Sequence, residues 1–352
     1  MITRIGLALA AAAILSSGPE DLKQRQLQVS STKTFNVPGF EALGLPLDDG
    51  DHPRILLASS DSATNIPGFG YYDFAKSDSA GNMYVHPTQG YTPAPVLRIS
   101  ASTSVITAYN FPAELRDKVN VLDFGVTPFG GVWVLTDSAD HSETVAFAFD
   151  SKGEVRSRTN FSLPPGVNIY SFLVSNSESL LLSGTYGQMA VKELQGQPYV
   201  ALFDRSGNLL RALHNVTDRT DLAQMGSVPQ ENGSAVGEDG SFYLLDAKQV
   251  TVLNPAGEID RRIPVSKPAP DLRMAGIYVS GGLAAIRLAR LRKDHTVTFN
   301  YMVINLSSKQ TLGWYVGDPS IGDNAVGFSR AEGFTFSHME KGVIHLIRAP
   351  LR

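Results

Sequence analysis

The chain has no cysteine among its 352 residues. Disulfides, thiolate zinc sites, a cysteine nucleophile and a lipidated N-terminal cysteine are therefore excluded. It also lacks an excess of charge of either sign, with 30 Lys and Arg against 34 Asp and Glu and a formal net charge of −4. Nucleic acid needs a basic face that displaces counterions, so this balance argues against it as a partner. The apolar run Ile5–Leu15 (IGLALAAAAIL) stops well short of the roughly 20 residues that span a bilayer. No G-x-S-x-G elbow, no H-E-x-x-H pair and no glycine-rich phosphate loop with lysine occurs. What remains is a long chain, 43% hydrophobic, with enough apolar residues for a large core that needs no cross-links.

Residues 1–18 have the pattern of an export signal. Arg4 supplies the positive start, Ile5–Leu15 the apolar stretch, and Ser16, Ser17 and Gly18 the small residues for cleavage. A periplasmic or extracellular location is expected, with no membrane span beyond this segment should it stay uncleaved. Residues 19–30 read as a linker and 31–352 as a single domain.

The organisation of that domain comes from a phrase written three times: AFAFDSKGEVRSR at Ala146–Arg158, ALFDRSGNLLRAL at Ala201–Leu213 and TVLNPAGEIDRRI at Thr251–Ile263. Each is an apolar strand, then Asp or Asn, two residues, Gly, and a second strand. The turn glycines Gly153, Gly207 and Gly257 stand 54 and 50 residues apart, the period of a repeated sheet unit. A second hairpin phrase precedes each copy, from DFAKSDSAGNMYVH (Asp73–His86) to AVGFSRAEGFTFSH (Ala325–His338). Short apolar runs between Gly, Asn and Asp turns read as buried strands. Six units of four strands, A to D, follow. The sixth lacks its D strand, because the chain ends at Arg352. Lys33–Val37 (KTFNV) resembles the ends of the other D strands, so an N-terminal strand is expected to complete the last unit and remove an open sheet edge. Two units depart from the pattern: Ser307–Lys309 replaces the turn glycine in the fifth and Ser100–Thr103 in the first. A seventh unit would need Arg54–Ala58 (RILLA) as one of its strands.

Four-stranded units of this length arranged radially make an all-β, six-bladed β-propeller. The Asp/Asn-x-x-Gly turns and the blade length resemble the NHL and TolB-like group of propellers, from about Ser31 to Arg352. The resemblance implies the fold. Several six-bladed families of similar fold hold a calcium ion at the channel mouth for lactone or ester hydrolysis. This implies an alternative in which oxygens of Asn120, Asn168, Asp271, Asp323 and Asn324 converge on a metal for a hydrolase or lyase reaction.

In this register the A–B and C–D turns are tight and share one face. The B–C and D–A loops are long and share the other, where a ligand is expected. His86, Tyr91 and Tyr186 stand at the starts of such loops or within them. Asp137, Asp140, His141 and Glu143 fall within seven residues and are the weak candidates for an ion; a solvated polar turn accounts for them as well. His214, Asp218 and Arg219 lie in the longest D–A loop and could bind a small anion or exchange protons. Arg290 and Arg292, in a basic loop tip, could hold an acidic group. No cofactor is expected from these residues, and calcium is an ion they could take. The sequence therefore points to an exported, non-catalytic, monomeric propeller that binds a protein or small ligand on its long-loop face.

Overall fold

The computed structural model describes residues 24–36, 40–43, 56–59, 75–86, 96–100, 106–111, 119–138, 142–214, 233–246, 248–292, 297–317, 325–340 and 343–351. The expected signal, residues 1–18, lies outside them.

Six four-stranded antiparallel sheets follow one another along the chain. The first is β5 (Ala75–Ser77), β6 (Met83–Val85), β7 (Val96–Ile99) and β8 (Ile106–Tyr109). The second is β9 (Val119–Val126), β10 (Val132–Ser138), β11 (Thr144–Phe149) and β12 (Val155–Phe161). The third is β13 (Val167–Val174), β14 (Leu180–Tyr186), β15 (Pro198–Phe203) and β16 (Leu209–His214). The fourth is β17 (Ser234–Val236), β18 (Phe242–Leu245), β19 (Gln249–Leu253) and β20 (Ile259–Pro264). The fifth is β21 (Leu272–Ser280), β22 (Leu283–Leu291), β23 (Val297–Asn305) and β24 (Thr311–Val316). The sixth is β25 (Ala325–Ser329), β26 (Gly333–Glu340) and β27 (Val343–Ala349), with β2 (Ser31–Asn36) as its outer strand. β2 runs antiparallel to β27, with Ser31 opposite Arg348 and Asn36 opposite Val343.

Leu56–Ser59 (β4), at the expected RILLA strand, pairs with Phe40–Leu43 (β3) in a two-stranded sheet rather than a seventh blade. The segment read as a linker contains a strand as well: Gln24–Gln26 (β1) adds to the outer edge of β24 in parallel, a fifth strand on blade five.

Each blade is apolar on both faces because side chains alternate along a strand. Val132 and Val134 of β10 pack toward blade one, with Tyr84, Tyr109 and Phe111. Trp133 and Leu135 point the other way, into a cluster with Phe172, Leu180, Leu182 and Phe203 of blade three. The same switch occurs at Leu180 and Leu181, at Phe242 and Tyr243, and at Ala284 and Ala285. A strand buried on both sides reads as an uninterrupted apolar run, which is why VWVL and FYLL carry no polar alternation. The innermost strands touch in sequence: β9 on β13, β13 on β17, β17 on β21, β21 on β25, and β25 on β5. β5 and β9 are joined by Lys76 and Asp123.

The Asp/Asn-x-x-Gly turns join each blade to its predecessor. Asp150, Asp204 and Asn254 accept hydrogen bonds from the backbone two and four residues on, and Gly153, Gly207 and Gly257 take positive φ. A Cβ on Gly153 would lie 2.2 Å from the Ala108 carbonyl oxygen of blade one, and one on Gly207 2.1 Å from that of Asn160 in blade two. In blade five, whose turn has no glycine, the closing hydrogen bond spans one residue more, from Asn305 N–H to the Gln310 carbonyl, and Lys309 itself adopts φ 61°, while Asn305 caps the turn.

These turns give a pH prediction. The hydrogen bonds donated by the backbone of Glu154 and then Lys152 hold the Asp150 carboxyl below its ordinary value. A carboxyl lowered by folding adds stability above the ordinary carboxylate range, about pH 3.9, and that stability is lost as pH falls through the lowered value. Asn254 makes the same two backbone bonds with an amide and donates a third to Glu258. Asp150→Asn, with Glu154 in the position of Glu258, should melt like the native protein at pH 7. Between pH 5 and 3 it should lose less melting temperature. An equal loss in both proteins would remove Asp150 from the acid response.

Candidate binding face

The B–C and D–A connections share the face opposite the tight turns, and its best-described feature is the β14–β15 loop, Gly187–Gln197. Leu194 N–H donates to the Val191 carbonyl at 2.8 Å and Gln197 N–H to that of Leu194 at 2.8 Å. Gly196 N–H closes the loop on the Tyr186 carbonyl at 2.7 Å. The Gln195 amide clasps the interior, donating to the carbonyls of Gln188 (2.9 Å) and Ala190 (3.0 Å). Gly187 N–H donates 2.7 Å to the Gly166 carbonyl, which docks the loop on the connection from blade two. Ala190 is buried there and Leu194 packs on the core. Gly166 has φ 77°, and a Cβ on it would meet Ala190 N at 2.3 Å. This backbone is held at many points, yet Met189 is 88% exposed and Val191 62% exposed at its tip. On blade three's inner strand, Tyr170 is also exposed and its hydroxyl lies 2.8 Å from Thr185 Oγ1.

The expected site residues are scattered relative to this feature. Tyr91, Asp140, His141, Asp218, Arg219, Asp323 and Asn324 lie outside the described residues. Asp137 is half-buried in β10, opposite Asn120 on one side and Thr144 on the other. Glu143 pairs at 2.9 Å with Arg158 of β12. Tyr186 differs from expectation: it is buried, edge-to-face on Tyr199 with centroids 5.8 Å apart. Pairing with β13 carries β14 as far as Tyr186, which keeps the ring on the face of Leu180 and Leu182 in the core. His86 is also buried, directly after β6. His214 ends β16 opposite Val200. Arg290 holds Asp271 at 2.8 Å, which engages that carboxylate within its own blade. Arg292 is exposed, as is Asn168. Among the described residues no three His, Asp or Glu side chains come together as a metal site.

The strongest electrostatic feature was not singled out in the sequence. Lys76 of β5 reaches across to Asp123 of β9, with Nζ 2.8 and 2.9 Å from the two carboxylate oxygens. It also donates to the carbonyls of Phe124 and, at 3.4 Å, Phe172 of β13. Asp123 in turn accepts the N–H groups of Phe124 (2.7 Å) and Phe172 (2.8 Å). A bulge in β9 beside Asp123 aims the carboxylate. Burial pushes the Asp123 carboxyl up, and Lys76 opposes this without overcoming it. The carboxylate is spent on Lys76 and two backbone donors, so the group clasps three blades and offers no free base. A charge inside the apolar run VNVLDFGV was its one sequence signal.

Fold and site together define the protein as a six-bladed β-propeller. No family model and no curated protein matches the chain. Several solved structures are distantly similar. An aldose sugar dehydrogenase from Streptomyces coelicolor has 13% identity and TM-score 0.45, covering 79% of this chain and 95% of that one. Regucalcin from Agrobacterium tumefaciens has 11% identity and TM-score 0.44, covering 79% and 90%. A gluconolactonase from Xanthomonas campestris has 12% identity and TM-score 0.45, covering 92% and 99%. At such values neither activity nor cofactor carries over to this chain.

Proposed function

We propose that this is an exported, non-catalytic, monomeric propeller that binds a partner protein through its long-loop face. The observation that carries the reading is the Gly187–Gln197 loop, whose backbone is fixed while Met189 and Val191 remain in water. Apolar side chains on a pre-ordered loop cost little entropy to dock, and each contributes about 1.5–3 kcal/mol when buried by a partner. Glu143 and Asp271, on two of these connections, are each engaged with an arginine, which favours apolar contact over acid–base chemistry there. Export is supported by the pattern of residues 1–18, and kinship with NHL and TolB-like propellers by the Asp/Asn-x-x-Gly turns.

The test is a pull-down from the exported fraction with the native protein and with Met189→Ser/Val191→Ser. The variant should melt like the native protein and lose bound partner by about tenfold or more, since 1.4 kcal/mol is tenfold. Equal recovery of the same partners by both proteins would overturn the reading. Stabilisation by added calcium, with lactone hydrolysis abolished by a chelator, would move it to the metal-assisted alternative.

A further inference from the structure

The N-terminal arm, Gln24–Asn36, lies along the outer edges of two blades in opposite senses. Gln24–Gln26 run parallel to Trp314–Val316 of β24, and Leu27 N–H continues the pairing to the Val316 carbonyl at 3.0 Å. The chain then crosses to blade six. Ser30 N–H (2.8 Å) and Oγ (3.1 Å) both donate to the Arg348 carbonyl, and β2 continues antiparallel along β27. Of residues 24–32, only Leu27 is buried; the others are exposed. Leu27 is 1% exposed, set between blades five and six in the cluster that contains Tyr315, Phe334 and Ile347. Backbone pairing along two edges with one deep apolar anchor is how proteins accept extended peptides by strand addition, where the backbone gives affinity and the pocket gives selectivity. The next blade strand after the arm begins at Ala75.

We infer that the paired edges of β24 and β27, with the Leu27 pocket between them, form a strand-accepting site occupied in cis by the arm. Its external ligand is an extended segment of a partner protein that presents a leucine-sized side chain three residues before a serine-like hydrogen-bond donor. The resident arm defines this chemistry: an apolar anchor, a small polar residue at the crossing, and no requirement at the exposed positions. The site is separate from the long-loop face, and neither reading depends on the other.

The test uses the full chain and a fluorescent peptide with the sequence of residues 22–36. Leu27→Asp in the full chain weakens the resident arm and leaves both edges intact. Peptide anisotropy should show saturable one-to-one binding to this variant, at least tenfold tighter than to the native chain. A peptide carrying the same Leu27→Asp change should not bind. Hydrogen exchange at 343–349 should rise in the variant and fall again with peptide. Absence of peptide binding to the folded variant, or equal binding of the substituted peptide, would overturn the inference. Dimers of the native chain with the variant would also overturn it, by assigning the site to arms of a second copy. Should the variant not fold, native-state exchange decides. Opening of 24–36 and 343–349 ahead of 333–340 supports a releasable arm, and exchange of all three only on global unfolding refutes it.

Discussion

Asp123→Ala should be among the most destabilising single substitutions in the protein, lowering unfolding free energy by about 3–5 kcal/mol in urea titrations at pH 7. The carboxylate is buried and accepts Lys76 and the N–H groups of Phe124 and Phe172, so its loss strands one cation and two donors at once. The cost comes from the unpaired partners more than from the attraction itself. Asp123→Leu combined with Lys76→Met should therefore recover part of the loss. Recovery would be incomplete, because both backbone donors stay without the carboxylate.

Lys76→Met alone has a different signature. Lys76 is the main influence that lowers the Asp123 carboxyl against the upward push of burial, so removing it raises that carboxyl further. A carboxyl raised by folding loses stability as pH rises from the unfolded value through the folded one. The Lys76→Met protein should therefore fall further behind the native protein at pH 8 than at pH 5. A deficit independent of pH, or Asp123→Ala within 1 kcal/mol of the native protein, as for an ordinary surface substitution, would remove the cluster as a clasp between blades.

Gly207→Ala should cost about 3 kcal/mol or more, although it adds a single methyl. Two penalties combine. Alanine at φ 84° pays about 1–2 kcal/mol for the left-handed conformation. The new Cβ also lies 2.1 Å from the Asn160 carbonyl oxygen. That carbonyl cannot retreat cheaply, because Asn160 is paired with Val145 in blade two. Gly282→Ala is the control. It has φ 76° with nothing within 4 Å, so only the conformational penalty applies, about 1–2 kcal/mol. Equal melting temperatures for the two variants would mean that the turn does not bear on the neighbouring blade.

These two substitutions separate what could be read in the chain from what could not. The strand runs, the Asp/Asn-x-x-Gly turns and the N-terminal outer strand of the last blade are local patterns. They follow from side-chain alternation and from which residues tolerate positive φ, so they were legible in the sequence. The fold class belongs here; the outer strand was expected at Lys33–Val37, and Ser31–Asn36 pairs with β27. The turn of blade five shows the limit of such reading: Lys309 does a glycine's work because the turn's closing hydrogen bond spans one residue more and Asn305 caps it.

The sites were less legible. Tyr186 was expected beside a ligand, yet it is in the core. A strand's end does not state which way its last side chain turns. Glu143 was grouped with its loop neighbours Asp137, Asp140 and His141, Arg290 with Arg292, and Asp271 with oxygens of other blades, whereas ion pairs within one blade join Glu143 to Arg158 and Asp271 to Arg290. Met189 and Val191 are ordinary apolar residues in the sequence; only the hydrogen bonds that fix their loop leave them in water.

The sequence by itself determined the order of the blade strands and their tight turns, since each depends on residues a few positions apart, but not β1 or β3. The tertiary structure alone decided that Asp123 faces Lys76 from another blade, that Gly207 touches Asn160, and that Leu27 fills a pocket formed more than 250 residues later. The physical reason is the same in each case. These contacts arise between sheets stacked around an axis, and the energy of burying a group depends on a neighbour that the chain supplies from far away.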